Sequence, residues 1–195
     1  MLSNSVKRDP RVVRTRKLLI DAFIEVQREK NFDDITIQDI TDRATVNRAT
    51  FYAHFQDKYD LLDRIIHDSF ADVLEARLRI PTHNHREHLR QLLLAITDHL
   101  GSVQTQCQRS YRMFGNLVEA QIKAQIREHL QEWLAEDLAF RKISPQQRDL
   151  AARLLSWSLY GAASEWQQQT ERSTPEQIAE QAMPMISASL EALLY

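Results

Sequence analysis

The chain has 195 residues, 43% of them hydrophobic, a formal net charge of −2, and only 3 glycines, 5 prolines and 1 cysteine. That length fits one or two domains with a real core, and so little glycine and proline argues against turn-rich β architecture and for long helices. No apolar run approaches the roughly 18 residues of a membrane span, no charged-then-apolar leader opens the sequence, and Cys107 alone excludes an internal disulfide, so a reducing cytoplasm is the expected compartment.

The charge is unevenly spread. Residues 7–17, KRDPRVVRTRK, carry Lys7, Arg8, Arg11, Arg14, Arg16 and Lys17 against one acid, Asp9, whereas residues 61–195 hold 14 basic and 17 acidic side chains. A basic start on an acidic body reads either as an arm facing phosphate or as a solvated leader.

A first helix is expected from about Arg11 to Lys30, because Leu19, Ala22, Phe23 and Val26 form an apolar stripe at helical period. Thr36 is placed to cap a short second helix, IQDITDRA, with Ile37, Ile40 and Ala44 inward and Asp39 in its first turn. Thr45 stands where the chain must turn, and Asn47 caps a third helix through Phe55. A fourth helix is expected from about Lys58 to Arg79, stopped by Pro81. REHLRQLLLAITDHL follows, then a less regular stretch to Phe114, then an amphipathic helix from about Asn116 to Phe140. Ser144-Pro145-x-Gln147 and Thr174-Pro175-x-Gln177 repeat one start signal and open helices of roughly 145–170 and 175–194, the latter bent at Pro184.

Two short helices joined by three or four residues form a helix-turn-helix pattern. On a helical wheel Phe51 and Phe55 share a face and can enter a core with Phe23, Ile37, Ile40 and Val46, while Tyr52 lies beside Arg48 and Ala49. A DNA major groove admits such a helix by its first turn. Arg48 can donate to guanine, Ala49 allows close approach, and Thr50 and Tyr52 can donate to phosphates, with Thr36 and Lys58 clamping the backbone on either side.

TIQDITDRATVNRATFYAHFQDKYDLL strongly resembles the DNA-binding segment of the TetR family of bacterial transcriptional regulators, T-I-x-x-I-A-x-x-A-G-V-S-x-x-T-F-Y-x-H-F-x-x-K-x-x-L. Thr36, Ile37, Ile40, Ala44, Val46, Thr50, Phe51, Tyr52, His54, Phe55, Lys58 and Leu61 match at the same spacing. Thr41 replaces an alanine, Asn47 the capping serine and Thr45 the turn glycine, the last a β-branched residue ill suited to positive φ. The resemblance implies an all-α homodimer of about nine helices per chain. A three-helix DNA-binding domain, residues 1–60, is followed by a larger helical effector-binding and dimerisation domain, residues 61–195. It implies a double-stranded, pseudo-palindromic operator read by Thr36, Thr45, Asn47, Arg48, Ala49, Thr50, Tyr52, His54 and Lys58. It also implies a repressor released when a small molecule shifts the fourth helix, with no cofactor and no catalytic role.

The rest of the chain carries weaker signals. Gly161, Ala162 and Ser164 between Trp157, Tyr160 and Trp166 permit close helix approach, and with Met183, Ser187 and Leu190 of the last helix they are candidates for the dimer interface. Candidate effector contacts are His99, Cys107, Tyr111, Met113, Phe114, Trp133 and Trp157, each also serviceable as core. His83, His85 and His88 raise a metal-responsive alternative, although a solvated loop explains them as well. A helical-bundle enzyme is disfavoured, since no histidine follows a glutamate by three residues and no G-x-x-x-x-G-K occurs.

Overall fold

The computed structural model describes residues 9–106, 108–169 and 173–193, and the side chains of 103–113 lie outside that description. Among the described residues there are eight α-helices, two single 3-10 turns and no strand, one helix fewer than the family resemblance suggests. The helices are α1 (Pro10–Glu29), α2 (Ile37–Ala44), α3 (Arg48–Tyr52), α4 (Lys58–Leu78), α5 (His85–Gln106), α6 (Gln108–Glu136), α7 (Pro145–Gln168) and α8 (Pro175–Glu191). They form two compact units, Met1–Ile65 and Ile66–Tyr195, and α4 runs from one into the other.

In the first unit, α1 begins on Asp9, whose carboxylate accepts from the Arg11 amide, with Pro10 at the first helical position. Leu19, Ala22, Phe23 and Val26 are its buried stripe, as the periodicity requires. Part of the basic start, Arg11 to Lys17, is therefore helical rather than a loose leader; Lys7 and Arg8 lie outside the described residues. The α2 start is a reciprocal capping box. Thr36 Oγ1 accepts from the Asp39 amide, and Asp39 Oδ2 accepts from the Thr36 amide at 2.9 Å. Lys30 and Arg43 then tie α1 to α2, through Asp39 at 2.6 Å and through Glu25 and Glu29 at 3.1 and 2.8 Å.

In the second unit, α5 is buried on nearly every side. Leu89, Leu92 to Ile96 and Leu100 pack against α6, α7 and α8, and the matching stripe of α6 is Val118, Ile122, Ile126, Leu130 and Leu134. Both predicted capping boxes are present, Ser144 with Gln147 and Thr174 with Gln177. The expected irregular stretch before Phe114 is instead helical backbone from Gln108 onward, and α8 continues through Pro184. No helix among the described residues is long and apolar enough to cross a membrane.

Candidate nucleic-acid interface

The turn between α2 and α3 is built around Thr45, at φ 56° and ψ 42°, where a glycine would be at ease. Its amide donates to Asp42 O and the Val46 amide to Thr41 O, which closes the end of α2. Thr41, buried at the resemblance's alanine position, satisfies its hydroxyl on Gln38 O. The α3 helix then starts on Asn47, whose Oδ1 accepts from the Thr50 amide at 2.7 Å and the Thr50 hydroxyl at 2.9 Å. It is shorter than expected, ending at Tyr52, and single turn bonds from the Ala53, His54 and Phe55 amides carry the chain onward.

Phe51 and Phe55 anchor this helix, buried with ring centroids 5.8 Å apart. Tyr52 turns the other way, 52% exposed, with only its ring edge on Phe51. Arg48 and Ala49 are exposed beside it, and the Arg48 guanidinium has no hydrogen bond or ion pair among the described residues. Arg48, Ala49 and Tyr52 thus form one outward patch that carries an unspent cation. Arg16 of α1 lies over the Phe55 ring at 5.4 Å, and it is felt by His54, whose pKa is lowered first by burial and then by that charge. The basic start of α1 therefore sits beside the end of α3, with Arg11, Arg14 and Lys17 free of ion pairs among the described residues.

Three members of the expected DNA-facing set are committed elsewhere. Lys58 Nζ donates to Phe32 O, Asp33 O and Ile35 O at 2.8, 3.0 and 2.9 Å, so all three of its hydrogens are spent on the link between α1 and α2. The expectation was that this ammonium grips phosphate; here it is a clamp inside the first unit. Thr36 donates its hydroxyl to Asp39 at 2.8 Å, and that carboxylate, held at about 2 chiefly by Lys30 and then by Thr36, would repel a phosphate. Thr50 gives its hydroxyl hydrogen to Asn47 and can only accept. Sequence reasoning also left Arg16 out of the set, although its place in the basic run was a usable signal.

Among the described residues, the effector candidates do not converge on one place. Trp133 stacks on His88 at 4.4 Å, near His85 and Phe140. His99 sits eleven residues along α5 from His88, about 16 Å at helical rise, against Phe70. Trp157 is 63% exposed on α7 with Lys123 5.8 Å from its ring. Phe114 is half-buried, while Cys107 and the side chains of Tyr111 and Met113 lie outside the described residues.

The histidines divide as well. His85 Nε2 meets Asp137 Oδ2 at 2.9 Å, His88 Nε2 meets His129 Nε2 at 3.0 Å, and no three metal-ligating groups converge among the described residues. For the dimer set, Trp157 and Gly161 are exposed, Ala162 and Ser164 half-buried, and Tyr160 buried. Met183, Ser187 and Leu190 are buried within the unit, so α8 presents the opposite phase, Pro184, Met185 and Ala188. The expected Met183, Ser187 and Leu190 therefore serve the core of this unit.

Residues 19–65 match the family described as bacterial regulatory proteins of the tetR family, and residues 87–188 match a transcriptional regulator C-terminal region. Among curated relatives, a transcriptional regulator of Bacillus subtilis, YxbF, is 46% identical over 68 residues, covering 34% of this chain and 18% of that protein. DhaS of Lactococcus lactis, described as an activator of the dhaKLM operon, is 32% identical over 60 residues, 31% of this chain and 32% of its own. The matched segment thus spans about a third or less of each of these relatives. A TetR-family regulator of Pectobacterium atrosepticum shares the fold at 20% identity, TM-score 0.59, over 96% of this chain and 98% of that one. With a family pattern on each unit and the same helical fold end to end, the chain belongs to the TetR family of bacterial transcriptional regulators.

Proposed function

We propose that the protein binds a pseudo-palindromic DNA operator as a homodimer and acts as a repressor released by a small molecule bound in the second unit. The observation that carries the DNA-binding reading is the outward patch of α3: Arg48, unpaired, beside Ala49 and Tyr52 on a helix whose opposite face is sealed by Phe51 and Phe55. Arg48 reads a base edge, Tyr52 and His54 lie against phosphate with Arg11, Arg14 and Lys17, and Asn47 and Thr45 set the pose of the helix. Two such helices, related by the dimer axis, meet half-sites about one turn, roughly 34 Å, apart.

The second copy fits the exposed seam of α7, Leu150, Leu154, Trp157 and Gly161, together with Met185 and Ala188 of α8. Operator release requires the effector to favour the conformation that does not bind DNA. The Lactococcus relative's description as an activator makes a transcription assay with and without the protein the measure of sign.

The decisive experiment is selection of binding sequences from random DNA with wild type and Arg48→Ala. The expected result is a palindromic site that loses preference at one base per half-site, by roughly 1–3 kcal/mol. An unchanged preference would remove Arg48 from base reading, and no enrichment at all would sink the reading.

A further inference from the structure

We propose that His99 is the effector-recognising group of the helical unit and that it takes a neutral, hydroxyl-bearing molecule. This rests on the ligand-responsive reading above and narrows it to one residue and one ligand chemistry. His99 is 1% exposed, and neither ring nitrogen has a hydrogen-bond partner among the described residues. Buried polar groups are nearly always paired, and an unpaired one is a standing cost that a leucine at the same position would avoid.

Three polar side chains on or bonded to this stretch of α5 are engaged. The Thr97 hydroxyl donates to Leu94 O at 2.9 Å, the Gln167 amide to Leu100 O at 2.9 Å, and the Ser102 hydroxyl to the carbonyl of His99 itself at 2.8 Å. Asp98, next to it in the chain, is paired with Arg77 of α4 at 2.6 Å. On this stretch of α5 the imidazole alone keeps its bonding capacity unspent.

The ring's chemistry selects its partner. Burial holds His99 neutral, with its pKa lowered to about 4, so it offers one N–H and one lone pair. A carboxylate could accept the ring's one N–H, but it, like an ammonium, would bring a buried charge that the neutral ring does not balance. A hydroxyl both donates and accepts, and so meets either nitrogen in either tautomer. The Phe70 ring, edge-on at 5.3 Å and fully buried, supplies an apolar wall beside it. Phe70 belongs to α4, the helix that continues into the DNA-binding unit, so a molecule seated on His99 touches the element whose movement would matter.

The test uses the full chain, labelled with 15N-histidine, with phenol and cyclohexanol as probes and benzoate and benzylammonium as charged controls. The expected result is that the neutral probes move the His99 nitrogen resonances and raise Tm. In His99→Leu the rise in Tm on adding the neutral probes should weaken at least tenfold, while that variant's own Tm equals or exceeds the wild type's. His99→Phe serves as a second variant that keeps a ring in the same space.

Neutral probes that leave the His99 nitrogens unmoved, a variant that binds them as well as the wild type, or a preference for the charged controls would each overturn the proposal. The ligand-responsive reading fails separately: a small-molecule extract of the host cells would then leave operator binding unchanged in wild type and variant alike. Release of both proteins by that extract keeps the reading and removes His99 from it.

Discussion

The ammonium of Lys58 donates to the carbonyl of Phe32 at 2.8 Å while lying 4.6 Å from the centroid of the same residue's ring. One cation thereby holds both the backbone and the side chain of the residue that links α1 to α2. Lys58→Met keeps the length and removes the donor, costing three carbonyls a hydrogen bond, although Phe32 O keeps the one from the Ile35 amide. It should destabilise the first unit by about 2 kcal/mol in urea denaturation. It should also leave the salt dependence of operator binding unchanged, because no phosphate contact is lost. A flatter salt slope would restore Lys58 to the DNA surface.

Thr45 is the only non-glycine residue with positive φ among the described residues, and its side chain is exposed. A left-handed conformation costs a β-branched residue roughly 1–2 kcal/mol. Against that, glycine loses more backbone freedom on folding. The net expectation for Thr45→Gly is a gain of about 1 kcal/mol, read as a raised Tm of the first unit. A fall in Tm would mean that the threonine side chain makes a contribution the backbone angle conceals.

His88 and His129 face each other through their Nε2 atoms, stacked at 5.1 Å between ring centroids, and Trp133 also stacks on His88. One shared proton suits this pair, and a second would create an imidazolium and set two N–H groups against each other. Burial first, then His129 and His85, lower the His88 pKa to about 4, and burial lowers that of His129 against a small opposing pull from Glu132. Asp137, the other acid nearby, is engaged with His85. A histidine whose folded pKa lies below its unfolded value loses stability as pH falls. The loss should therefore begin near pH 6.5 and be complete near pH 4, on the order of 3 kcal/mol for His88. His88→Phe should flatten that limb of a stability–pH curve, and an equally steep limb in the variant would place the proton elsewhere.

The sequence made the first unit nearly readable because its information is local. Leu19, Ala22, Phe23 and Val26 repeat at helical spacing, and Thr36, Asn47, Ser144 and Thr174 each cap a helix three residues ahead. What escaped was set by partners far along the chain. The carbonyls that absorb Lys58 lie 23 to 26 residues earlier, and His129 is 41 residues from His88. The phase of α8 escaped for another reason. Ala179, Ala182, Met183, Met185, Ile186 and Leu190 put apolar residues around most of the helix, so periodicity could not say that Met183 faces inward and Met185 outward.

The contact between Arg16 and Phe55 bears finally on entropy. A basic tail must be frozen onto a duplex charge by charge, and each ordered residue offsets part of the attraction. Here Arg11, Arg14 and Lys17 ride on α1, a helix already seated on the core beneath α3. Their spacing is fixed before any DNA arrives. The freedom they lose on binding is that of side chains alone, and the backbone's share was spent when the domain folded.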